Sequence, residues 1–91
     1  MEETRTVFWA PDDLRRRLRR IEGQVRGIEG MVGRVATCDD ILVQLAATQG
    51  ALAKIIKIVE ACRVAETLAE DNSALASDPK KVQTLIQELT R

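Results

Sequence analysis

RRRLRRIEGQVRGIEG, residues 15–30, carries two patterns at once. Its apolar residues belong to a longer seam, Leu14, Leu18, Ile21, Val25, Ile28, Val32 and Val35, with steps of four and three throughout. At about 3.6 residues per turn, that spacing holds one face of a helix apolar, in the register of helices that pack along their length. Pro11, Asp12 and Asp13 mark the start, because proline fits the first turn and carboxylates suit the positive end of the helix dipole. The stretch predicts a helix over about residues 12–34. Its second pattern is basic and glycine-rich, and bears on function.

The chain restarts at VATCDDIL. Thr37 with Asp40 three residues later resembles a capping box, with aspartate in place of the usual glutamate. Ile41, Leu45, Thr48, Leu52, Ile55, Val59 and Cys62 again step by four and three. A long helix over about 38–70 follows, with Gly50 its one weak point. EDNSALASDP reads as a polar connection, after which Ser77 or Asp78 caps a third helix over about 79–90, with Pro79 at its first position. Val82, Leu85, Ile86 and Leu89 give that helix one apolar face. Residues 1–11 read as a flexible tail in which Phe8 and Trp9 pack over a helix end or at a subunit contact, with stacking on nucleic-acid bases as the weaker alternative.

The whole is one all-α domain over residues 1–91, with three helices of unequal length and no strand signal. The second helix is far longer than the third, so one protomer cannot cover both its faces. The simplest solution is an antiparallel dimer forming a four-helix bundle. No apolar run approaches the roughly 18 residues of a membrane span, and the acidic start lacks the core of a signal peptide. These features lead to the expectation of a cytoplasmic protein with no membrane partner. The two cysteines are then expected to be free thiols.

Fourteen basic and fourteen acidic residues cancel overall. Between Leu14 and Arg34, however, seven arginines face two glutamates. On a helical wheel Arg15, Arg19 and Arg26 cluster on one flank of the seam, with Arg16, Arg20 and Arg34 further round. Gly23, Gly27, Gly30 and Gly33 fall in the same sector. The planar arginine fork suits phosphate, so Arg15, Arg16, Arg19, Arg20 and Arg26 are the candidate contacts to double-stranded DNA. Zinc-finger spacing is absent, as is the second short helix of a helix-turn-helix. The alternatives are a solvated face approached by another helix at the glycines, and an interaction module that binds an acidic protein. An enzyme is not expected, since there is no histidine, no phosphate loop and no paired acid and base.

The segments LRRRLRRIEGQVRGIEGMV, residues 14–32, and CDDILVQLAATQGAL, residues 38–52, resemble the copper-sensing repressor family that includes CsoR, RcnR and FrmR. The resemblance runs without a gap over about residues 14–70. It implies an all-helical homodimer that pairs into a homotetramer, binds operator DNA as a repressor and lets go when an inducer arrives. Inducers across the family include Cu(I), Ni(II) or Co(II), formaldehyde and persulfide-type sulfur.

The resemblance also places the sensing site. Its first cysteine matches Cys38. The positions where copper sensors carry a histidine and a second cysteine hold Arg63 and Thr67 here. A guanidinium cannot ligate Cu(I), and a hydroxyl is a hard donor for a soft ion. Cys62 lies 24 residues from Cys38 in the chain and could meet it only across an antiparallel dimer; its other reading is a small buried hydrophobe. The expectation is therefore metal-independent thiol chemistry at Cys38, toward reactive sulfur, an oxidant or an aldehyde. Arg63 of a second copy would favour the thiolate, Cys62 would be a candidate second thiol, and no cofactor would be needed. The alternative is a Cu(I) or other transition-metal sensor with an altered ligand set, in which Cys38 is the one candidate ligand. RVAET, residues 63–67, resembles the formaldehyde-responsive branch in part.

Overall fold

The computed structural model describes residues 7–71 and 77–91. Residues 1–6 of the expected tail and residues 72–76 of the polar connection lie outside the described residues. Among the described residues there are three helices: α1 (Pro11–Gly33), α2 (Cys38–Asp71) and α3 (Pro79–Thr90). Among the described residues there is no strand, and each helix boundary falls within a residue or so of the sequence expectation.

The ends are made as the sequence indicates. The Asp40 amide donates to Thr37 Oγ1 at 3.1 Å, and the Ile41 amide to the Thr37 carbonyl at 3.0 Å. Asp78 rather than Ser77 caps α3, accepting the Lys81 amide at 3.3 Å, with Pro79 opening the first turn. α1 closes through two overlapping bonds, Val35 amide to Val32 carbonyl at 3.2 Å and Ala36 amide to Met31 carbonyl at 2.9 Å. That pairing is the Schellman motif, which places the residue after the helix in the left-handed region. Val35 occupies that position, with φ 56°. Glycine is the usual occupant, because a β-branched side chain crowds the backbone there.

The chain divides into two compact units, one spanning Asp12–Ile55 and the other Ile56–Arg91 together with the residues through Pro11. In the first unit, Leu14, Ile21, Thr48 and Ile55 are buried, and Ile28, Met31, Ile41 and Ala51 are half-buried. The expected seam of α1 thus splits in two. Leu14, Ile21 and Ile28, seven residues apart, turn inward. Leu18, Val25 and Val32, also seven apart, are 47%, 50% and 60% exposed. The same split occurs along α2 within this unit, where Ile41, Thr48 and Ile55 alternate with the exposed Leu45 and Leu52. One neighbouring helix covers one stripe, and the second stripe of each seam is left exposed among the described residues.

In the second unit the core is Phe8, Ile58, Cys62, Ala65, Val82 and Ile86. α3 buries Val82 and Ile86 but leaves Leu85 and Leu89 exposed, so half of its expected apolar face is uncovered. Val7–Ala10 are held against this unit and do not trail from it: Phe8 is buried, and Gln83 Nε2 donates to the Val7 carbonyl at 2.9 Å. Of the two readings of Phe8 and Trp9, packing within the fold accounts for Phe8.

α2 is long and apolar enough to cross a membrane by length and composition alone, and only 17% of its most apolar window is buried within the chain. Lys54 and Lys57 interrupt that surface. A helix apolar on several sides is what a bundle made from more than one chain requires.

Candidate nucleic-acid interface and sensing site

The basic face begins at the first turn of α1. Asp13 accepts Arg16 Nη2 at 2.7 Å and Arg17 Nε at 2.9 Å. Exposed pairs of this kind add little to stability, about 0–1 kcal/mol, but they orient the guanidinium groups. Arg16 was expected to be available to phosphate, and the structure engages it with Asp13 one turn back along the helix. Arg15, Arg19, Arg20 and Arg26 are exposed and have no carboxylate partner among the described residues. Glu22 and Glu29 are also exposed on α1, yet neither forms an ion pair with this face. Four unpaired cations on one helix give a local positive field in a protein of zero net charge.

Beside the arginines the helix is bare. A Cβ built at Gly23, Gly27 or Gly33 would meet nothing within 4 Å. Gly30 differs, since the guanidinium of Arg34 folds back to 3.4 Å from where a Cβ would stand. Shallow grooves run along the same helix. One, of about 590 Å³, is lined by Arg15, Leu18, Arg19, Ile21, Glu22 and Val25. There the exposed apolar stripe meets the basic one.

Cys38 is the first residue of α2 and is exposed. Asp39 and Asp40 follow it in the same first turn, where carboxylates suit the positive end of the helix. Cys62 is buried. Burial pushes its thiol above the ordinary value of 9.0, and the nearby Glu66 carboxylate adds to the shift. Within a single chain Cys62 is therefore a neutral core side chain, as in the buried-hydrophobe reading considered for it. Arg63 and Thr67 are exposed, and Thr67 Oγ1 donates to the Arg63 carbonyl at 3.1 Å.

Among the described residues no group of three or more His, Cys, Asp or Glu side chains is placed to hold a metal ion. Cys38 is a suitable soft donor for Cu(I), but Arg63 and Thr67 are not. The described residues of one chain therefore do not bring together a complete copper ligand set. Sequence reasoning overlooked two nearby features: the Arg34 fold-back over Gly30, and the left-handed turn at Val35, three residues before Cys38. Gly33 is the last residue of α1.

The family profile described as "Metal-sensitive transcriptional repressor" matches residues 10–91. Two curated relatives are similar over shorter stretches. The copper-sensing transcriptional repressor CsoR of Bacillus subtilis is 52% identical over 44 residues, covering 48% of this chain and 44% of that protein. The copper-sensing transcriptional repressor RicR of Mycobacterium tuberculosis is 46% identical over 44 residues, covering 48% of this chain and 46% of that protein. These matches span less than half the length of either relative. No solved structure matches the chain.

Proposed function

Because the chain belongs to the metal-sensitive transcriptional repressor family, we propose that it represses transcription as a homo-oligomer, with the arginine face of α1 on operator DNA and an inducer sensed at Cys38. The observation that carries the DNA reading is the set of exposed, unpaired Arg15, Arg19, Arg20 and Arg26 along one helix. Phosphate contacts of this kind position a protein on duplex and make its affinity fall steeply with salt. The exposed stripes Leu18–Val25–Val32 and Leu45–Leu52 support assembly, since a second copy supplies the missing apolar neighbour. An antiparallel arrangement of two α2 helices would bring Cys38 of one copy toward the Arg63 end of the other.

The relatives favour a transition metal, Cu(I) first, as the inducer: both carry copper-sensing names, and the family profile is metal-sensitive. That support outweighs the expectation of metal-independent sensing. In this reading Cys38 supplies one thiolate, and the other ligands come from outside the single chain. The thiol reading is kept second on one observation: the chain has no histidine, and its candidate partner positions hold Arg63 and Thr67.

Titrating the operator complex with Cu(I), formaldehyde and a polysulfide separates the two. Release by stoichiometric Cu(I), lost in Cys38→Ala, is expected for the metal sensor. Release by polysulfide or aldehyde alone would favour the thiol sensor instead. If the operator is bound no more tightly than unrelated DNA, and without salt dependence, the repressor reading itself fails.

A further inference from the structure

Asp13 engages two arginines with separate oxygens. Its Oδ1 accepts Arg16 Nη2 at 2.7 Å, and its Oδ2 accepts Arg17 Nε at 2.9 Å. The side chain of Arg16 is 77% exposed and that of Arg17 37%, but that of Asp13 only 17%. The carboxylate is thus largely enclosed, and salt screens such a pair less than a fully exposed one. Its place on the helix adds to this. Asp13 lies in the first turn of α1, where a negative charge suits the helix dipole, and it precedes its basic partners, the favourable order for pairs three or four residues apart.

The paired arginines stand apart from the main basic row. At about 100° per residue, Arg15, Arg19 and Arg26 lie close together on the helical wheel. Arg16 lies about 100° and Arg17 about 200° round from Arg15. With Arg20 they line a shallow depression of about 210 Å³. Three guanidinium groups around one depression would seat a phosphate if no carboxylate held two of them.

We propose that Asp13 is a specificity-determining residue: it keeps Arg16 and Arg17 paired, so that duplex DNA meets the unpaired arginines and does not dock through the Arg16–Arg17 edge. This role rests on the reading of α1 as the DNA-contacting helix. A phosphate held at that edge carries no sequence information, and it would roll the helix away from the operator register. Asp13 acts against this wrong docking mode by pairing with the cations before a phosphate does. Asp12 is different, being exposed and without an ion pair among the described residues.

The test uses the full chain and two duplexes of equal length, one selected by the wild type from a random pool and the other its scrambled version. Fluorescence anisotropy is read at several salt concentrations. Asp13→Asn should bind the scrambled duplex about fivefold tighter and steepen its salt slope by about one, as expected for one added phosphate contact. Affinity for the selected duplex should rise less, so the ratio between the two falls. Asp12→Asn removes the same charge without freeing a guanidinium, and should leave ratio and slope near those of the wild type. In a background of Arg16→Ala with Arg17→Ala, Asp13→Asn should do no more than Asp12→Asn does. The proposal is overturned if Asp13→Asn leaves the ratio unchanged, if Asp12→Asn lowers it as much, or if the effect persists without Arg16 and Arg17. Failure of the DNA reading shows separately, as a wild type that selects no sequence and whose salt slope ignores Arg19→Ala; the role of Asp13 then falls with it.

Discussion

Leu14 and Leu18 stand one turn apart on the same apolar seam of α1, yet Leu14 is 9% exposed and Leu18 is 47% exposed. The four-three spacing that predicts a single stripe in fact supplies two, one buried in the fold of the chain and one exposed, the stripe we propose for assembly. Leu14→Ala should lower unfolding free energy by about 2–4 kcal/mol at any protein concentration. Leu18→Gln should instead shift sedimentation toward smaller species, with a stability loss that shrinks as the protein is diluted. Equal concentration dependence in the two variants would remove the distinction.

Arginines on the same helix should divide by partner. Replacing Arg15 or Arg19 by alanine should weaken operator binding and reduce the slope of log affinity against log salt by about one each. Arg17→Ala should cost less, because Asp13 already holds its guanidinium at 2.9 Å. Filter binding or fluorescence anisotropy at three salt concentrations measures both. An unchanged salt slope for Arg15→Ala and Arg19→Ala would place the phosphates elsewhere.

Val35 is the one non-glycine residue with positive φ among those described, and it is 86% exposed, so packing does not compensate its strain. Val35→Gly should stabilise the protein by about 1 kcal/mol, the relief of left-handed strain offset by the freedom glycine adds to the unfolded chain. Urea denaturation reads this directly. A loss of stability would mean that the valine side chain is covered in the assembled protein.

Cys62 makes stability fall in alkali. Its folded thiol titrates above the ordinary value of 9.0, through burial first and Glu66 second. Below that pH both folded and unfolded chains carry the neutral thiol. Above it the unfolded chain ionises first, so its contribution to stability is full below about pH 9 and is lost as pH rises toward the folded value. Comparing denaturation midpoints of wild type and Cys62→Ala across pH 8–10.5 should show a shallower alkaline decline in the variant.

The three helices were legible because each carries both a start signal and a periodic apolar face. Thr37 and Asp78 act as the caps that the local sequence suggests. The split of each seam was not legible, since spacing alone cannot say how many neighbours a helix has. At the candidate site, Cys38 could be located because it begins a helix in a segment resembling a known family. The engagement of Arg16 with Asp13 was readable in principle from their three-residue spacing. Burial of Phe8 was not, because its segment is tied to the fold by a bond from Gln83 to Val7 that spans 76 residues of chain.

The four glycines of α1 also bear on how the molecule comes to be folded. Each costs about 1 kcal/mol against alanine in a helix interior, a sum that a helix of this length does not recover in water alone. α2, with one glycine in 34 residues, has no such handicap. This asymmetry predicts an order of folding in which α2 forms first and α1 coils up on it. In that order the arginine ladder would take shape only with the fold, and an unfolded copy would display no ordered basic surface.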